Sequence, residues 1–124
     1  MLSLTRFGTR DVARAKPFYD EIAALLGATC VVDRPEVAGW RGADGGMFLI
    51  GKPLAGDASV GNGVQAGFSA PTRDVVDAVH AKALELGGKC EGAPGVRGAD
   101  PNGAYGAYFR DLDGNKLSVF RFGA

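Results

Sequence analysis

The chain has 124 residues, with 14 basic and 14 acidic side chains, 20 glycines, 2 cysteines and 1 histidine. Balanced charge leaves no basic stripe for nucleic acid, no apolar run approaches the roughly 18 residues of a membrane span, and two cysteines without a secretion signal read as a reduced, cytoplasmic protein. The length suits one domain with a core of its own, and glycine at about 16%, against an average near 7%, marks many turns between short strands.

LSLTRFG (2–8) alternates as a strand, with Thr5 and Phe7 on one face and Leu4 and Arg6 on the other. TRDV (9–12) follows, and Asp11 is placed to cap a helix carrying Val12, Ala15, Phe18, Ile22 and Leu25 or Leu26 at three- to four-residue spacing. Pro17 falls in the second turn and predicts a bend there. Gly27 suits the left-handed position after a helix, and Cys30 comes three residues later. The strand-like pieces VAGWRG (37–42) and MFLIGK (47–52) complete this half.

The same order then recurs. GVQAGFSA (63–70) alternates with Val64, Ala66 and Phe68 opposite Gln65 and Ser69, and TRDV returns at 72–75. Val75 or Val76, Val79, Ala83 and Leu86 trace a second helix, which Gly87 ends, with Cys90 again three residues on. AYGAYFRD (104–111) and NKLSVFRF (115–122) close the chain, and in the last strand Leu117 and Val119 oppose Lys116, Ser118 and Phe120. Each half therefore reads as βαβββ, about 1–56 and 60–124, within one domain. In such a unit the helix covers one sheet face. The other face, carrying Arg6, Gln65, Lys116 and Ser118, reads as the wall of a cleft.

The segments TRDVARAKPFYDEIAALLG (9–27), VVDAVHAKALELGG (75–88), GAPGVRG (92–98) and AYGAYFRDLDGNKLSVF (104–120) resemble the vicinal oxygen chelate superfamily. That superfamily includes glyoxalase I, extradiol dioxygenases, methylmalonyl-CoA epimerase and the fosfomycin and bleomycin resistance proteins. The resemblance covers most of the chain and is strongest in 92–120, which looks like a glyoxalase-like subgroup with GAPGLRP and DPDGN-x-E stretches. It implies an α+β fold of two tandem βαβββ modules, forming a curved mixed-sheet cup with helices on the outer face and ligand inside.

Metal-dependent members carry His in the first and fifth strands and an acid in the fourth and eighth. Carried over, these positions fall on Leu4, Ile50, Gln65 and Ser118. Two are aliphatic and two offer only neutral oxygens, whereas zinc sites take about three ligands from His, Cys and carboxylates, and hard cations take charged oxygens. The Lewis acid of the family's chemistry lacks its ligands here, so neither metal nor other cofactor is expected.

His80 lies in the second helix and is read as a surface or packing residue. Cys30 and Cys90 hold equivalent repeat positions and are read as buried or edge-strand structural thiols. DLDGN (111–115) lacks the Gly and Glu of a calcium loop and is read as a hairpin turn. GNGVQA (61–66) matches a loose dinucleotide fingerprint but opens a strand rather than a helix, which rejects it.

The candidate ligand contacts are Arg6, Gln65, Ser118 and Phe120 on the cleft face, together with Trp40, Phe48, Tyr105 and Arg97. Trp40 and Tyr105 have the shape to stack a flat ligand, Trp40 serving equally well as packing. Arg6 has the fork to hold a carboxylate or phosphate, and Arg97 lies in a Gly- and Pro-rich stretch (92–104) read as a loop over the cup. The sequence thus points to a metal-free, glyoxalase- or bleomycin-resistance-like binding protein, a homodimer, for an anionic or neutral aromatic ligand. The alternatives are a lyase or dioxygenase with non-standard ligands, and a structural or regulatory module whose cup is filled by its own side chains.

Overall fold

The computed structural model describes residues 1–124 and divides by contacts into two compact units, Met1–Asn62 and Gly63–Ala124. The first unit holds β1 (Leu4–Gly8), α1 (Val12–Leu25), β2 (Thr29–Arg34), β3 (Val37–Arg41) and β4 (Met47–Gly51). The second repeats the order with β5 (Ala66–Ser69), α2 (Arg73–Glu85), β6 (Lys89–Arg97), β7 (Ala104–Arg110) and β8 (Lys116–Phe122). Each forms a four-stranded mixed sheet, ordered β1-β4-β3-β2 and β5-β8-β7-β6. The first strand of each pairs in parallel with the last, and the remaining pairs are antiparallel. A parallel partner cannot be reached by a tight turn, and the helix begins the long connection that reaches it. The fold class is α+β, as the sequence predicts.

Both helices begin and end by the same local chemistry. The Asp11 carboxylate accepts from the Arg14 N–H at 3.1 Å, and the Thr72 hydroxyl accepts from the Val75 N–H at 3.2 Å, each satisfying a donor the helix leaves open. At the far ends Gly27 and Gly87 take φ of 72° and 103°, where only glycine avoids a Cβ clash. The next residue then folds back, Ala28 N–H to Ala23 C=O and Gly88 N–H to Ala83 C=O, both at 2.8 Å, which is the Schellman pattern. α1 runs without interruption through Pro17.

Apolar spacing on each helix meets the inward-facing residues of its own sheet. α1 buries Phe18, Tyr19 and Ile22 against β2–β4, while α2 buries Val76, Val79 and Ala83 against β6–β8. Ile50 in one sheet and Phe109, Leu117 and Val119 in the other are fully buried. Each such side chain contributes about 1.5–3 kcal/mol on leaving water.

One expectation needs correcting. Residues 92–97 are not a loop, because β6 continues to Arg97 and only 98–103 turn. Pro94 has no N–H for a ladder, but β6 is an edge strand, and its register shifts between Cys90 and Gly92 and between Gly92 and Gly95 accommodate the irregular residues.

Candidate functional site

Strand register decides which side chains share the face turned away from each helix. In the second unit Gly67, Ser118, Tyr108 and Gly92 lie in one row across the sheet, and Ser69, Phe120, Gly106 and Gly95 in the next. Arg97 and Phe122 flank the second row, and Lys116 flanks the first. Ser118, Phe120 and Arg97 are thus brought together on the open face. Gln65, exposed immediately before β5, falls on the same face by alternation.

The centre of this face is Tyr108, which the sequence reading missed. The Arg97 guanidinium lies 5.7 Å and the Lys116 ammonium 5.2 Å from its ring centroid, so two cations attend one π-face system. Phe120 meets the Tyr108 ring edge-on at 5.6 Å, and Phe122 stacks on Phe120 at 5.6 Å. Arg97 is held in place by its own strand, donating to the Gly95 and Ala93 carbonyls at 3.1 and 2.7 Å. Glycines make room for these groups. A Cβ at Gly106 would enter the Phe120 ring, and one at Gly92 would come within 3.1 Å of Tyr108 and 3.3 Å of Arg97. Nearby, Arg110 donates to Glu91 at 2.8 Å, and this bond holds the Glu91 carboxyl below the usual carboxylate range. The open face therefore combines aromatic surface with cations, of which Arg110 is paired directly with Glu91 and Lys116 lies within electrostatic reach of the same carboxylate.

Tyr105 belongs to the other face, a correction to the sequence reading. It pairs with Arg121, two and four positions along from Ala107 and Phe109, and its hydroxyl donates to Asp77 of α2 at 2.6 Å. That bond, lost on ionisation, raises the phenol above its ordinary value. Arg73 of α2 lies over the same ring at 5.0 Å. Tyr105 ties the helix to the sheet instead of presenting a stacking surface for ligand.

In the first unit the open face carries Leu4, Arg6, Met47, Leu49, Gly39 and Arg41. Arg6 lies over Gly51 and donates to the Lys52 carbonyl at 2.7 Å, so the guanidinium is fixed beside the end of β4. Trp40 and Phe48 are corrections of the same kind as Tyr105. They stand opposite one another in the row of Thr5, on the helix side, and both are buried. Their rings pack on Tyr19 at 5.6 and 4.9 Å, and the Trp40 indole donates to Asp20 at 2.9 Å. Lys16 closes that group by bonding Asp20 at 2.8 Å, which raises the lysine above its ordinary value. Trp40 is therefore packing, the reading the sequence weighed equally.

The family's four metal positions can now be placed. Leu4 is exposed on the open face of β1, and Ser118 is on that of β8 but buried, while Ile50 is wholly buried on the helix side. In the second unit Ser118 lies two register steps beyond the level of Gln65, and the same step from Leu4 reaches Leu49. The fourth-strand position is therefore Leu49, one residue from the sequence assignment. The donor set becomes Leu4, Leu49, Gln65 and Ser118, still without an imidazole, thiolate or carboxylate, and no three such groups cluster elsewhere. These residues do not fit a zinc or hard-cation site.

His80 is buried on α2, as a packing histidine should be, and burial lowers its pKa below the ordinary value against the opposing pull of Asp77. Cys30 and Cys90 are free, exposed and on the edge strands β2 and β6. The DLDGN segment closes the β7–β8 hairpin. Asp111 accepts from the N–H groups of Asp113 and Asn115 at 2.9 and 2.8 Å, and Gly114 takes φ of 92°. No helix is long and apolar enough to cross a membrane.

With this geometry in hand, comparisons place the chain among known proteins. A glyoxalase/bleomycin resistance protein from Albidiferax ferrireducens T118 shares 35% identity over 97% of both chains, with a TM-score of 0.87. A putative glyoxalase from Bacillus halodurans superposes with a TM-score of 0.77 at 16% identity, covering 97% of this chain and 94% of that one. A lactoylglutathione lyase from Agrobacterium tumefaciens gives 0.65 at 22% identity, covering 97% and 92%, and shares the fold. No curated protein is a significant match. The pattern of one superfamily runs through residues 2–119, both βαβββ units included, and the chain belongs to it: the Glyoxalase/Bleomycin resistance protein/Dioxygenase superfamily.

Proposed function

We propose that this protein binds a small anionic or neutral aromatic ligand without a metal, acting as a binding protein in the cytoplasm and as a homodimer. The observation that carries this is the open face of the second unit, where Arg97 and Lys116 both attend the Tyr108 ring and Phe120 meets its edge. A flat ring would stack on Phe120 and Tyr108, and a carboxylate or phenolate on it would meet the two cations. Ser118 lies on the same face but is buried, so the aromatic rings and the two cations carry the contact. The donor set Leu4, Leu49, Gln65 and Ser118 supports the metal-free part of the reading, since none can carry the charge a Lewis acid site needs.

The test is thermal unfolding of purified protein against a panel of aromatic carboxylates, neutral aromatics and cationic aromatic drugs, with elemental analysis of the same sample. Stabilisation by the anionic or neutral members, with metal well below one per chain, is the expected result. Stabilisation by cationic drugs alone would overturn the ligand assignment. A stoichiometric transition metal would overturn the metal-free assignment and favour a lyase or dioxygenase.

A further inference from the structure

We propose that Cys90 and His80 form a base-assisted nucleophilic thiol, on the helix side of the second sheet, that reacts with small soft electrophiles: carbon bearing a leaving group, or an alkene conjugated to a carbonyl. The His80 Nε2 atom of α2 lies 3.3 Å from the Cys90 Sγ atom of β6. The two groups differ in access in the way such chemistry needs. His80 is 6% exposed, whereas Cys90 is exposed on an edge strand, so the base is fixed and the nucleophile is reachable. Cys90 is paired with Phe109 of β7, and the register shift comes directly after it, between Cys90 and Gly92. None of these atoms belongs to the open face that carries Tyr108.

The step balances without an added reagent. The thiol proton passes to Nε2 of neutral His80 as the sulfur lone pair forms the S–C bond. With a leaving group, the C–X pair departs with X. With a conjugated alkene, the π pair moves to the α-carbon, which takes the proton back from the imidazolium. Burial keeps His80 neutral and so able to accept, and the charge of Asp77 favours the imidazolium once it forms. Thiolate, not thiol, is the nucleophile, so a base in contact raises the rate even where the resting thiol is protonated.

The repeat supplies an internal control. Cys30 stands opposite Trp40 as Cys90 stands opposite Phe109, and a register shift follows both. Its Sγ atom, however, faces the Val32 carbonyl at 3.4 Å, an oxygen that accepts a hydrogen bond but cannot take up the proton. Lys16, whose charge reaches Cys30, is already paired with Asp20.

The experiment is alkylation of the full chain with limiting iodoacetamide at neutral pH, quenched in time and mapped by peptide mass, native and in urea. Cys90 is expected to react about tenfold or more faster than Cys30 in the native chain and within about twofold of it in urea. The His80→Gln chain, checked for folding by circular dichroism, is expected to lose most of the native excess. A native ratio of one or less would overturn the proposal whether or not the variant folds. So would a folded His80→Gln chain that keeps the full excess.

Discussion

Gly106→Ala is the smallest change that disturbs the proposed ligand face. The added methyl would coincide with ring atoms of Phe120, so the phenyl has to swing off β7. In doing so it gives up the edge-on contact with Tyr108, at 5.6 Å and 78°. It also gives up the stack on Phe122, which is worth less because Phe122 is 72% exposed. An aromatic contact contributes about 0.5–1.5 kcal/mol beyond area, and forced overpacking costs about 1–3 kcal/mol. Against this, replacing glycine by alanine where φ is not left-handed gains about 0.5–1 kcal/mol, because the unfolded chain has less freedom to lose. The net expectation is a loss of about 0.5–4 kcal/mol in urea unfolding, together with loss of ligand-induced stabilisation. Gly46→Ala serves as the control, since its Cβ meets nothing closer than 3.5 Å. A Gly106→Ala protein more stable than the parent would show that the ring does not rest on this glycine, and the described platform would be wrong.

Further outcomes follow from the same contacts. Trp40→Phe should cost about 1–3 kcal/mol through the lost indole bond to Asp20 and lost packing, while leaving ligand stabilisation intact; chemical denaturation with and without ligand separates the two effects. Leu49→Glu should cost about 1–2 kcal/mol on its half-buried open face, whereas Ile50→Glu should cost more than about 4 kcal/mol or prevent folding, as circular dichroism melts would show. His80, with its folded pKa below 6.5, binds fewer protons than the unfolded chain between those two values. Stability should therefore fall as pH drops below about 6.5, level off below the folded pKa, and lose that dependence in His80→Gln. Tyr108→Leu should weaken aromatic ligand binding by about tenfold in calorimetry, with the fold retained, because Tyr108 is only half-buried.

The repeated TRDV and Leu-Gly signals made the two βαβββ units legible, because caps and helix ends are written in local residue types. Alternation likewise placed Arg6, Ser118 and Phe120 correctly, since Thr5 and Phe7, or Leu117 and Val119, mark the buried side unambiguously. VAGWRG gave no such marker: Val37, Ala38, Gly39 and Trp40 are all buried, so neither face announces itself. In AYGAYFR the two tyrosines lie three apart and must face opposite ways, Tyr105 with Phe109, but only pairing with β8, where Phe109 meets Leu117, tells that this is the helix side. The fourth-strand metal position slipped by one for the same reason, from Leu49 to Ile50. Pro94 and its neighbouring glycines read as loop because composition does not reveal that β6 is an edge, where a proline does no harm.

The central claim is that the open face of the second unit takes an anionic or neutral aromatic without metal. Its most direct test is an NMR titration of chelator-treated protein with benzoate, phenol and benzylammonium, following backbone amides. The account predicts saturable shifts centred on Tyr108, Ser118 and Phe120 with benzoate or phenol. Shifts with benzylammonium alone, or binding that appears only after a transition metal is added, would contradict it.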